Sequence, residues 1–318
     1  MRLADVLKKY GIFAVVLALM AVFTFSSPNF LHTSNLLNIA RQVSMMGIAA
    51  VGFTFVLILG GIDLSIGSVV TLVNITAAWL MINGHWSPVF ACAAAVCLAS
   101  AIGLLNGLII ARIKMPAIIV TLSMMIVVEG AAYLVCNGLP IFGFPKGFAV
   151  LGQGHLAGVP IPVIIMVAVL AVGAFILNKT YFGRYFYAVG GNQEAAKLSG
   201  IGVNGIQYLV YTLSGFFAGI SGIVLLSRTN SGQVMAGKGF EFDVLTACVL
   251  GGVSVTGGVG KISNVVAGVM ILGVLNNGLV LLNVNQYAQM EIKGIVLLFA
   301  VAFDTIQKNR KRKEAKPA

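Results

Sequence analysis

"IPVIIMVAVLAVGAFILN" (residues 161–178) carries no charged side chain from end to end. A helix of about 20 mostly apolar residues crosses the roughly 30 Å hydrocarbon core of a bilayer. This run therefore reads as a transmembrane helix. Directly after it the chain turns polar, through "KTYFGRYFYAVGGNQEAAKLSGIGV" (179–203), and becomes apolar again over 206–227. Runs of the same kind occur at 10–26, 43–60, 65–83, 89–111, 117–136, 264–283 and 290–306, with a short glycine-rich one at 244–258. The expected fold is an all-α polytopic membrane protein of about ten transmembrane helices, with 1–318 as a single transmembrane domain.

Composition agrees. The 318 residues are 59% hydrophobic and only 9% charged, against about a quarter charged in a soluble domain. The 38 glycines suit close helix contact in lipid. The net charge of +11 does not mark a nucleic-acid binder, because the basic residues sit at the ends of apolar runs rather than in a stripe. Cytoplasmic loops carry the excess of Lys and Arg. With the first residue inside, about 15 of the 20 basic residues fall inside: Arg2, Lys8, Lys9, Arg112, Lys114, Lys179, Arg184, Lys197, Lys261 and the tail at 307–318. Arg41, Lys146, Arg228, Lys238 and Lys293 fall outside or near the outer face. Both termini are expected to be cytoplasmic.

Several motifs are weaker than they look. "GIGVNG" (200–205) matches G-x-G-x-x-G but lacks the preceding strand that a dinucleotide site needs. "GGVGKI" (257–262) has Val255 and Ile262 where a phosphate loop needs Gly and Ser or Thr. If ATP powers transport, the ATPase is another chain. The four cysteines form no C-x-x-C pair, and the three histidines are far apart, so no metal site is expected. The basic-then-apolar start has no small-residue cleavage site and reads as an uncleaved first span. "LILGGIDLSIGSVV" (57–70) and "CVLGGVSVTGGVGK" (248–261) echo each other. The echo marks either two related halves or a common look of glycine-rich membrane loops.

Polar residues inside apolar runs are the pathway or gating candidates: Asp63, Ser65, Asn74, Asn106, Glu129, Asn276 and Asn277. A carboxylate at membrane depth is costly and marks function or a tight partner. Asp63, among Gly60, Gly61 and Gly67, either caps the following helix or couples protons, and the first is favoured. The asparagines either join helices or line a polar route for a hydroxylated solute.

The polar stretch "GNQEAAKLSGIGV" (191–203) has complete helix signals. Asn192 is an N-cap, Glu194 lies in the first turn, Lys197 in the last, and Gly200 at the C′ position. A helix of about two turns is marginal alone in water, so it must dock. Its small apolar face makes a poor lipid anchor, and a protein partner fits better.

At these residues the chain resembles the ribose-type monosaccharide permeases of bacterial ABC importers. The resemblance runs through "SPNFLHTSNLLNIARQ", "GGIDLSIGS", "FGRYFYAVGGNQEAAKLSGIGV", "AGKGFEFDVL", "LGGVSVTGGVGKI" and "LNNGLVLL", nearly the whole chain in order. One departure is the absence of a proline in "IGVNGIQYLV" (201–210), where the broader importer motif closes. The resemblance implies a multi-pass protein of the bacterial plasma (inner) membrane, with a cytoplasmic coupling loop at 179–205 and no covalent chemistry of its own. Implied partners are a second permease copy or homologue, an ABC ATPase with two nucleotide-binding units, and an extracytoplasmic sugar-binding protein; ATP and Mg would sit on the ATPase. Arg184, Gly191, Asn192, Glu194, Ala195 and Gly200 would make the coupling element. Arg228, Lys238 and Glu241, in the outer loop 228–243, would meet the binding protein. The alternative is an ion-coupled secondary sugar transporter using Asp63 or Glu129.

Overall fold

A computed structural model describes residues 3–314. Arg2 and residues 315–318 lie outside the described residues, and the expectations for Lys8, Lys9 and the basic tail concern side chains outside it as well.

Thirteen helices are described: α1 (Leu3–Ser26), α2 (Thr33–Ile58), α3 (Ile66–Ile82), α4 (Pro88–Leu108), α5 (Ala117–Cys136), α6 (Val150–Gln153), α7 (Ile161–Lys179), α8 (Tyr181–Gly191), α9 (Gln193–Leu198), α10 (Val203–Thr229), α11 (Phe240–Leu250), α12 (Ile262–Leu281) and α13 (Gln286–Glu314). A π-helical turn, Ile109–Ile113, extends α4, and a two-residue hairpin pairs His155–Leu156 with Val159–Pro160. Six stretches are long and apolar enough to cross a membrane: Thr33–Ile58, Pro88–Ile113, Ala117–Cys136, Ile161–Lys179, Val203–Thr229 and Ile262–Leu281. Gly11–Ser26 and Ile66–Ile82 are shorter apolar helices.

Burial sorts these helices. The apolar window of α2 is 89% buried, while those of α4, α5 and α7 are 28%, 22% and 22% buried. So α2 is the axis of the fold, packed on by α10, α7, α12 and α11, and the outward sides of α4, α5 and α7 form the rim. The rim keeps large apolar side chains on the outside, such as Phe175, Ile126 and Leu134, as a lipid-facing surface does.

The tightest packing joins α4 to α10. Ala91, Ala95, Ala99, Gly103 and Gly107 recur every fourth residue along α4 and so share one face. Against them lie Gly215 and Gly219 of α10. A Cβ built on Gly215 collides with the Ala99 carbonyl oxygen, and one on Gly103 collides with the Tyr211 carbonyl oxygen. In lipid, helix association rests on packing, and small residues let backbones touch.

The expected span at 244–258 is corrected. Helix α11 is 11 residues long and stops at Leu250, about 16 Å at 1.5 Å per residue. Gly252, Gly257 and Gly258 all take positive φ, a left-handed backbone that ends a helix. Residues 251–261 are an irregular loop leading into α12.

Two segments fold back into the bundle. After α2 ends, residues 59–65 return inward, with the Gly61 amide donating to the Val56 carbonyl (2.9 Å), and α3 starts from inside the bundle. From the opposite end, residues 230–239 run back along α3. The Gln233 amide donates to Asn74 Oδ1 (2.9 Å) and the Gly237 amide to Thr71 Oγ1 (3.0 Å). The first turns of α3 and α11 therefore meet, with Gly67 against Gly237 and Glu241.

Candidate functional site

The polar stretch forms two short helices. Thr180 Oγ1 accepts from the Gly183 amide (3.4 Å) and starts α8. Its aromatic run anchors it: Phe186 is fully buried and packs on Phe55 of α2, ring centroids 5.5 Å apart. The Tyr187 hydroxyl donates to the Gly260 carbonyl (2.7 Å). Burial raises the Tyr187 pKa, which keeps the phenol protonated as a donor. Then α9 begins at Asn192, whose Oδ1 accepts from the Ala195 amide (3.0 Å). It ends in a Schellman motif: the Gly200 amide donates to Lys197 (3.0 Å) and the Ile201 amide to Ala196 (3.1 Å), with Gly200 at φ +83°.

This doubly capped helix is almost free of the protein it belongs to. Of α9, only Ala196 is buried. Glu194, Ala195 and Lys197 are exposed, as are the flanking Arg184, Gly191, Asn192 and Gly200. Leu198 is 88% exposed, a large apolar side chain with nothing over it.

Behind α9 the contacts are backbone on backbone. A Cβ built on Gly190 would collide with the Ile58 carbonyl oxygen, at the last residue of α2. The Gly258 amide donates to that same carbonyl (2.8 Å). Gly257 lies against Gly190 and Gly60. The two stretches of the sequence echo thus pack on each other, and both pack on α8.

Further inside is a buried polar knot. Asp63 is 2% exposed. Its Oδ1 accepts from the Ser65 amide (3.1 Å) and the Ser65 hydroxyl (2.6 Å), and Oδ2 accepts from the Ser214 hydroxyl of α10 (2.8 Å). Asn106 Nδ2 of α4 donates to Ser65 Oγ (3.0 Å). The carboxylate fixes Ser65, the residue before α3, and through it and Ser214 joins α3 to α4 and α10. Two atoms around the knot, Asn106 Oδ1 and the Tyr211 hydroxyl, are buried without a partner.

The remaining candidates scatter. Asn277 of α12 exchanges two amide hydrogen bonds with Asn35 of α2 (2.8 and 2.9 Å). Asn74 holds the returning segment through Gln233, and Asn276, next to Asn277 on α12, is buried with Oδ1 unpartnered. Glu129, partly exposed on α5, and Asp243 lie close enough to Glu241 to act on it electrostatically. At the end of α10, Arg228 Nη2 donates to Asn38 Oδ1 (3.4 Å), and Arg41 Nη2 lies 2.8 Å from His155 Nε2. Lys238 is exposed. The structure thus joins Asp63, Ser65 and Asn106, and brings Glu129 near Glu241. Arg228 stays apart from Lys238 and Glu241.

A family model described as "Branched-chain amino acid transport system / permease component" matches residues 35–301. The chain belongs to this permease family. Its relatives lean toward sugars. It is 43% identical over 293 residues to the ribose import permease protein of Escherichia coli (strain K12), covering 91% of each chain. It is 40% identical over 301 residues to the ribose import permease protein of Bacillus subtilis (strain 168), covering 94% of this chain and 93% of that one. It is 40% identical over 308 residues to the L-arabinose ABC transporter permease protein of Azospirillum brasilense, covering 97% and 91%. No solved structure matches. The resemblance read from the motifs holds, with the family model carrying the amino-acid name and the relatives the pentose names.

Sequence reading missed Ser214, Tyr211, Asn35 and Gln233. Ser214 left one trace, a hydroxyl inside the apolar run 206–227. The others have no local signal, because their partners are distant in the chain.

Proposed function

We propose that this chain is the membrane permease subunit of an ABC importer for a monosaccharide, with a pentose the first substrate to try. The observation that carries it is α9: a helix capped at both ends, exposed on its outer face, and joined through α8, whose Gly190 meets the backbone at the end of α2. A separate ATPase, holding ATP and Mg on its two nucleotide-binding units, would seat α9 in a groove. Arg184, Gly191, Asn192, Glu194, Ala195, Leu198 and Gly200 face that partner.

In this reading the chain passes a bacterial inner membrane several times, with both termini cytoplasmic. The α9 end, where Lys179, Arg184, Lys197 and Lys261 are exposed, is the cytoplasmic one. The opposite end, with Arg228 and Arg41, receives an extracytoplasmic sugar-binding protein. A second permease copy or homologue completes the pathway. Asp63, Ser65 and Asn106 hold the start of α3 and set where the pathway is closed.

Reconstitution tests the assignment. Proteoliposomes carrying the permease and its ATPase, with the binding protein outside and ATP inside, are expected to accumulate D-ribose or L-arabinose. Uptake that needs no ATP and collapses with a protonophore would overturn it.

A further inference from the structure

We propose that Glu129, Gln233 and Lys238 form one wall of the sugar pathway, a wet wall that a second copy of this chain faces. The proposal rests on the importer reading and adds where the solute passes and what touches it.

Depth comes first. The returning segment 230–239 is pinned to α3 at two levels. Gly232 packs on Ala78 and the Asn74 carbonyl oxygen, and Gln233 is bonded to Asn74. Asn74 lies eight residues before Ile82, the last residue of α3, so Gln233 sits roughly 12 Å below that end of the helix. Gly237 packs on Gly67 and bonds Thr71, which puts Lys238 roughly 20 Å below it. The hydrocarbon core is about 30 Å thick. These groups lie inside it, not in an outer loop. In this proposal the segment puts Lys238 in the pathway.

Exposure comes second. Gln233 and Lys238 are exposed, and Glu129 is partly so. Lys238 and Glu129 make no ion pair among the described residues, whereas Lys293 is paired with Asp243 at 2.9 Å. An unpaired ammonium, a carboxylate and a primary amide pointing outward at this depth cannot rest against acyl chains; such residues face a bundle interior or a water-filled cavity. None of the described helices covers them.

Contiguity comes third. The Tyr133 hydroxyl of α5 reaches Met235 Sδ (3.4 Å), so α5 and the returning segment share one face. Glu129 lies one helical turn from Tyr133 on that face. Glu241, at the start of α11, is buried against Gly67 at the start of α3. Backbone outside a regular helix is tolerated at membrane depth where it lines a cavity. An amide, a carboxylate and an ammonium can bond the several hydroxyls of a sugar, which donate and accept at once. An identical wall from a second copy, related by a two-fold axis, would close the route.

Thiol accessibility tests this in the assembled importer, reconstituted with its ATPase and binding protein, in a background of Cys92→Ala and Cys97→Ala. Lys238→Cys and Gln233→Cys are probed with a membrane-impermeant, water-borne thiol reagent. Phe175→Cys, on the exposed apolar face of α7, is the lipid-facing reference, since the thiolate that reacts does not form in hydrocarbon. The expected result is modification at 233 and 238, none at 175, and loss of the modification when D-ribose or L-arabinose is present with ATP. Two unreactive thiols would put this face in lipid and overturn the proposal. Modification that ignores both sugars would overturn it too, because a solute would not be passing. Uptake by the unsubstituted importer, measured alongside, separates failure of this wall from failure of the importer assignment.

Discussion

Asp63 offers a sharp test of whether a buried carboxylate works as a structural tie or as a proton carrier. It accepts three hydrogen bonds, two from Ser65 and one from Ser214. In Asp63→Asn, the amide oxygen keeps both Ser65 bonds. The amide nitrogen faces Ser214 Oγ, which turns from donor to acceptor. The loss is therefore confined to charge-assisted strength, about 1 kcal/mol, and removing a buried charge offsets part of it. In Asp63→Ala the Ser65 amide, at the start of α3, loses its acceptor and both hydroxyls must find new ones. At about 1–3 kcal/mol for a buried unsatisfied group, with the hydroxyls partly re-paired to nearby carbonyls, the cost is about 3 kcal/mol. Thermal unfolding of the purified permease and ATP-driven sugar uptake are the assays. Asp63→Asn should melt close to wild type and keep transport, while Asp63→Ala should melt well below it and lose transport. An Asp63→Asn protein that melts normally and transports nothing would refute the reasoning, because it would show that the charge itself is used.

Three further outcomes follow from the same geometry. Glu194→Lys reverses a charge in the first turn of α9 and opposes the helix dipole; uptake should fall with the fold intact, and normal uptake with normal ATPase binding would remove α9 from the coupling role. Gly215→Val drives a side chain into the Ala99 carbonyl oxygen, where backbone cannot give way, so unfolding should come easier by about 1–3 kcal/mol or more; an unchanged melt would mean α4 and α10 are looser than described. Asn277→Ala removes two amide bonds to Asn35, which keeps only its bond to the Phe30 carbonyl; a loss of about 1–2 kcal/mol is expected, with transport kept by whatever fraction remains folded.

What the sequence reveals depends on how far apart the interacting residues are. The caps of α9 are legible because Asn192 and Gly200 act on amides within four residues. The bond from Asp63 to Ser65 is local in the same way, although it stops at the residue before α3 and caps no amide of the helix. The bond from Asp63 to Ser214 is not legible, because 151 residues intervene. The span at 244–258 misleads because glycine and valine read as apolar in an average, although positive φ at Gly252, Gly257 and Gly258 ends the helix. Nothing in the letters of 228–243 signals that this segment packs along α3, where Gly232 and Gly237 let the backbones touch. The echo at 57–70 and 248–261 is visible in the letters, but its physical content, glycine backbone stacked on glycine backbone, appears only in space.

That stack has a mechanical consequence. At the closest approach of α8, the end of α2 and the 257–258 turn, peptide planes meet at Gly190, Ile58, Gly257 and Gly258 with no side chain between them. A joint of this kind has almost no compliance. A displacement of α9 by a partner cannot be absorbed where it enters, so it must arrive undiminished at the central helix and at the loop that feeds α12.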